Sequence, residues 1–168
     1  KGYQNLIKLT SESFDHFYRK PHVTWEMLKK YHEGIIATSA CLGGIIPQAL
    51  MKGNLEEAEY AIRQFQKLFG EDFYLEIQRH GIKGEEQVNQ NLLALGKKYG
   101  IPVIATTDSH YPDKGDKSAH EIELCVQTKK TIAEPHFAFE GTGYHMHTSE
   151  EMEKLFYDVP EVLDNTLR

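Results

Sequence analysis

Three short apolar runs, each followed by a helical pattern, limit the folds open to this chain more than any other feature. Ile35-Ile36-Ala37-Thr38-Ser39, Phe73-Tyr74-Leu75-Glu76-Ile77 and Pro102-Val103-Ile104-Ala105-Thr106 have the length and residue types of buried strands. Between the first two lies an amphipathic stretch with Leu55, Ala58, Ala61, Ile62, Phe65 and Phe69 on one face. Between the second and third, Val88, Leu92, Leu95 and Tyr99 repeat at helical spacing. Strands joined through helices pair in parallel, because a parallel pair needs a long crossover. The pattern predicts an α/β fold with a parallel sheet, either open or part of a barrel.

The flanks are helical. Residues 3–18 read as one amphipathic helix stopped by Pro21. Thr24 is placed to cap a second helix through Tyr31, with Gly34 closing it. A short helix is expected over 45–52, and Gly43-Gly44 reads as a turn. Asn54 caps the helix that Gly70 stops, and Asp116 is placed to cap another through Val126. Residues 128–143 look irregular, and Tyr144–His147 reads as a short extended piece. Thr148-x-x-Glu151 has the form of a capping box, and Pro160 suits the first turn of a last helix.

Composition excludes several classes. A net charge of −6 argues against autonomous duplex binding, which draws much of its affinity from phosphate neutralisation. Two cysteines, Cys41 and Cys125, are too few for a disulfide framework and suit a reduced, cytoplasmic protein. No apolar run is long enough to span a bilayer. The glycine fingerprints of nucleotide-binding loops and the G-x-S-x-G of serine hydrolases are absent. Nine histidines among 168 residues direct attention to metal or acid–base chemistry.

Potential ligands recur where the apolar runs end. Thr107-Asp108-Ser109-His110 follows the third, and an Asp-x-His pair lies on one side of a strand if extended geometry persists. Alone, it reads equally as a turn cap beside an exposed loop histidine. Cys41 follows the first run and is either a thiolate ligand or a small buried hydrophobe. His80 follows the second, as a further ligand or as a rim residue facing solvent. His120 suits the orienting of a neighbouring loop. His145 and His147 form an H-x-H pair that reads mainly as structural, and Cys125 reads as core.

Six segments in register resemble a known family: residues 2–6 (Gly-Tyr-Gln-Asn-Leu), 37–44 around Cys41, 74–81 ending in Gln78-Arg79-His80-Gly81, 103–111 around Asp108, 119–122 and 149–152. Together they are similar to the polymerase-and-histidinol-phosphatase (PHP) domain of the bacterial DNA polymerase III alpha subunits. The resemblance implies part of a distorted seven-stranded (β/α) barrel. Residues 1–147 would form the C-terminal part of the PHP domain, and 148–168 a helical exit toward the polymerase core. It implies a divalent metal cluster of zinc or manganese, with Cys41, Asp108 and His110 at ligand positions and Asp108 and His110 catalytic. The expected activity is phosphodiester hydrolysis from a DNA 3′ end. The family's early H-x-H strand and its other ligands precede the segment matched here. This piece is therefore expected to be catalytically incomplete, to hold no metal by itself and to self-associate through an open sheet edge. DNA and other replisome subunits are the partners implied. A non-catalytic scaffold and a histidinol-phosphatase-like phosphoesterase are the alternatives, the second opposed by the opening and closing segments.

Overall fold

A computed structural model describes all 168 residues. Strands β1 (Ala37–Thr38), β2 (Phe73–Ile77) and β3 (Val103–Ala105) form one sheet in the order β1-β2-β3, with both pairings parallel. Helices α3 (Ile45–Met51) and α4 (Leu55–Phe69) make the first crossover, and α5 (Glu85–Tyr99) makes the second. Helices α1 (Gly2–Ser13) and α2 (Trp25–Tyr31) precede the sheet. After it come α6 (Lys117–Thr128), α7 (Ser149–Leu155) and α8 (Glu161–Asp164). The α/β class and the parallel sheet agree with the sequence pattern. The sheet within this chain has three strands, so the seven-stranded barrel is not formed by these residues alone.

Burial along β2 alternates strictly, with Phe73, Leu75 and Ile77 fully inside. They meet the inner faces of α4 (Ala58, Ala61, Ile62) and α5 (Val88, Leu92, Leu95) in one core of 18 residues. Phe156 and Val162 belong to that same core, so the C-terminal helices pack on the sheet. Two bonds fix them there. Asn165 Nδ2 donates to the Val103 carbonyl at the edge of β3 (2.9 Å). Arg79, just beyond β2, forms a two-pronged ion pair with Asp158 (2.6 and 2.9 Å), donates to the Leu155 carbonyl and lies over the Phe156 ring.

Several caps form as the sequence predicts. Thr24, Asn54 and Thr148 each accept the backbone N–H three residues on, and Glu151 completes the box at Thr148. Gly44 is required by close approach, because a Cβ there would lie 2.2 Å from the Ser39 carbonyl oxygen.

Other expectations are corrected. The first helix ends at Ser13, five residues early, in a single tighter turn over Phe14–His16. The chain then reverses through Arg19 at φ +61°, and Tyr18 donates to the Lys20 carbonyl. The aromatic residues Phe14, Phe17 and Tyr18 are consequently exposed. Only Ala37–Thr38 of the first apolar run joins the ladder, because Ile35 donates back to His32 and continues the turn leaving α2. That helix ends at Tyr31, so Gly34 turns the chain beyond it rather than closing it. Asp116 precedes α6 without capping it, since its carboxylate accepts from the Asp113 N–H (3.2 Å).

Two outcomes test this packing. Phe156→Ala should lower stability by about 3–5 kcal/mol in urea denaturation, the usual cost of emptying a fully buried aromatic site. Arg79 holds the Asp158 carboxyl below its ordinary value of 3.8. A depressed carboxylate contributes stability above its unfolded pKa and loses it as pH falls through the folded value. Wild type should therefore be more stable than Asp158→Asn at neutral pH. The gap should close in acid, and a constant gap would show that the ion pair is not its source.

Candidate functional site

The site is built where the three parallel strands end, the edge at which α/β folds position chemistry. Glu76 joins the strands there. Its carboxylate accepts from Thr38 at the end of β1, from Thr106 just beyond β3 and from Gln78 Nε2 (3.0 Å). Gln78 also donates to Thr106 Oγ1 (2.9 Å), and Ser39 Oγ accepts the Glu76 N–H (2.8 Å).

Beyond β2 the chain is clasped from α5. Glu85, 4% exposed, accepts the N–H groups of His80 (2.7 Å), Gly81 (2.9 Å) and Ile82 (3.4 Å) through one oxygen. Asn89 donates to the Gln78 carbonyl (2.7 Å). Of the two sequence readings of His80, a further ligand or a rim residue facing solvent, the second fails because the residue is buried. Its Nδ1 meets the Thr142 carbonyl (2.8 Å), and its own carbonyl accepts the Thr142 N–H (2.9 Å). Its ring stacks on Tyr144 with centroids 4.1 Å apart. Gly141, at φ +78°, passes so close that a Cβ would lie 2.2 Å from the His80 carbonyl oxygen.

The loop held by His80 in turn fixes the Asp-x-His segment. The Tyr144 carbonyl accepts the N–H groups of His110 (2.7 Å) and Tyr111 (3.3 Å), and Tyr111 bridges in parallel to His145. Asp108 Oδ1 and His110 Nε2 lie 3.5 Å apart, both partly exposed. They meet through a turn, with Asp108 at φ +42°, and not through continued strand geometry. That left-handed conformation is one that Asp tolerates better than most residues. Phe139 and His120 pack on the His110 ring at 4.4 and 5.6 Å between centroids, so His120 does orient its neighbour.

Tyr144 stands among these groups and went unnoticed in the sequence. Burial pushes its phenol up to about 12, with smaller contributions from Glu85, Asp108, Tyr111 and Cys41. It remains a proton donor, and its hydroxyl bonds the Glu140 carbonyl (2.6 Å). Periodicity gives no warning of it, because the extended piece it opens, Tyr144–His147, is too short to reveal a buried face. Cys41 is half-buried and lines a narrow cleft with Glu76, Gln78, Glu85 and Asn89. Cys125 is core. No three His, Cys, Asp or Glu side chains converge as a metal-binding group. This chain therefore presents Asp108 and His110 as an adjacent pair, and Cys41 does not join them in a three-ligand set.

Residues 1–80 match the PHP domain family. Nearly the whole chain is similar to a segment of DNA polymerase III subunit alpha. The protein of that name from Borreliella burgdorferi is 44% identical over 169 residues, covering 99% of this chain and 15% of that protein. Those from Thermus aquaticus and Treponema pallidum are each 38% identical, covering 99% of this chain and 14% of theirs. The chain thus spans only 14–15% of the length of these relatives. No helix is long and apolar enough to cross a membrane.

The position of Tyr144 can be checked by titration. In a spectrophotometric difference between wild type and Tyr144→Phe, the lost phenol should ionise near 12. Ionisation near the ordinary value of 10.0 would place Tyr144 in solvent and contradict the stacked arrangement.

Proposed function

We propose that these residues form part of a DNA polymerase III alpha subunit, acting in DNA replication. In that reading they contribute Asp108, His110 and Cys41 to a metal-dependent phosphodiester-cleaving site of the 3′–5′ exonuclease type. The observation that carries the proposal is the Asp108–His110 pair, held 3.5 Å apart beyond the sheet by the Tyr144 carbonyl. Both side chains are reachable from solvent, and carboxylate, imidazole and thiol are the donor types that zinc and manganese sites use. The fit is partial, two adjacent donors and a third apart, so the remaining ligands and barrel strands would come from other parts of the subunit. A divalent metal held there would supply Lewis-acid polarisation of a phosphoryl oxygen. The chain's own residues position the donors. Tyr144 and Phe139 pack on the His110 ring and hold it in place, and the turn at Asp108 sets its carboxylate 3.5 Å from that ring. DNA and other replisome subunits would be met through the larger subunit.

A second reading, a scaffold without chemistry, is favoured by the lack of any three converging donors. Asp108→Asn in the full-length natural protein separates the two. The hydrolytic reading expects metal content, measured by mass spectrometry, to fall by at least one ion per molecule. It expects 3′-end hydrolysis to slow about 100-fold, as when a metal site loses its charged ligand. Metal content and rate both unchanged would leave the scaffold reading standing.

A further inference from the structure

In a chain of net charge −6, one cavity is lined by cations. Arg79, Lys114, Lys117 and Lys154 stand around a space of about 460 Å³, with Glu151 the one carboxylate in its wall. That volume suits a nucleotide-sized ligand. None of the three lysines is paired with a carboxylate, whereas Arg79 is held by Asp158 and lies 3.6 Å from Glu86. The field in the cavity is therefore set by lysines free to meet an anion.

A second observation is independent of the lysines. His145 lines the same cavity, its side chain is 9% exposed, and its Nε2 has no hydrogen-bond partner. Glu151 Oε1, 3.5 Å away, is beyond a normal hydrogen bond. Buried polar atoms are almost always bonded, so beside its long ion pair with Glu151 this nitrogen has room for a shorter bond. His147 stacks on His145 at 4.1 Å and places its Nδ1 3.0 Å from the His145 carbonyl. The pair reads as neither simple core nor a metal site, since no three donors converge here either.

We infer that this cavity is a phosphate-ester subsite, with Lys114, Lys117 and Lys154 supplying charge and His145 Nε2 a directed contact. Ammonium groups act on phosphate as point charges without demanding one geometry, which suits flexible exposed side chains. Thr142 and Gly143 line it also. Tyr111 forms part of the wall and follows His110 directly in the chain. A phosphate bound here sits beside the Asp108–His110 pair, where it would anchor a nucleotide or the neighbouring phosphate of a single strand. The binding claim stands on the cavity alone; only its use in placing a substrate rests on the hydrolytic reading above.

Lysine acylation of the full-length natural protein, read by mass spectrometry, tests it with dTMP and with the oligonucleotide (dT)8 as probes. Ligand at twice its Kd leaves about one third of sites free, so acylation of Lys114, Lys117 and Lys154 should slow about threefold. Lys129 and Lys130, exposed elsewhere, should be unaffected. Protection by dTMP assigns a terminal phosphate monoester, and protection by (dT)8 alone assigns a strand phosphodiester. Lys117→Glu should abolish protection at Lys114 and Lys154 with an unchanged melting temperature. Protection by neither probe, equal protection of the control lysines, or protection surviving Lys117→Glu would overturn the assignment. Because the readout is local, protection that persists in Asp108→Asn keeps the subsite even if the hydrolytic reading fails.

Discussion

The buried carboxylate of Glu85 is the point on which the functional edge depends. Burying a polar group is costly unless hydrogen bonds replace the lost solvation, and three backbone N–H groups converge on one Glu85 oxygen here. The clasp fixes the chain beyond β2 in the one position from which His80 can hold residues 141–144. That segment then presents the Tyr144 carbonyl to His110 and Tyr111. A short helical N-terminus thus orders, through two loops, a histidine far away in sequence. Truncating Glu85 would leave those amides unpaired in a dry site, which costs more than the bonds are worth when made.

Glu76 has a different task. It lies on the outward-facing side of a strand whose inner residues are fully buried, and it joins β1, β2 and β3 through Thr38, Gln78 and Thr106. Strands of two, five and three residues carry few ladder bonds, so side-chain bonds at their ends matter more than in a long sheet. Polar networks of this kind specify register, since a slip of one residue would turn Glu76 inward.

Much of this was legible because it is local. The apolar runs, the helical faces of α4 and α5 and the caps at Thr24, Asn54 and Thr148 each depend on residues a few positions apart. The Asp108–His110 pair was legible for the same reason, although the turn that joins them was not. What escaped depends on distant partners. His80 looks like an exposed loop residue until residues 141–144 cover it, and Tyr144 looks like loop until His80 stacks on it. His145 and His147 seemed remote from the strand ends because some 35 residues of sequence, a separation that says little about distance in space, lie between them and His110. The parallel bridge from Tyr111 closes that distance. The early end of α1 was hidden because its aromatic spacing continues where no surface exists to bury it.

Arg79 shows how stability and recognition come to share a residue. Its guanidinium bonds Asp158 and the Leu155 carbonyl and covers Phe156, tying the last helices to the sheet. The same side chain forms part of the cationic cavity wall. Asp158 offsets most of its charge, so Arg79 is better suited to shaping the cavity than to attracting an anion, and the unpaired lysines take the second task. Those lysines come from α6, α7 and the turn before α6, elements that the fold brings together, with Arg79, the buried Phe156 and Asn165 docking the C-terminal helices. The cavity therefore exists only in the folded arrangement, which explains why an acidic composition concealed it.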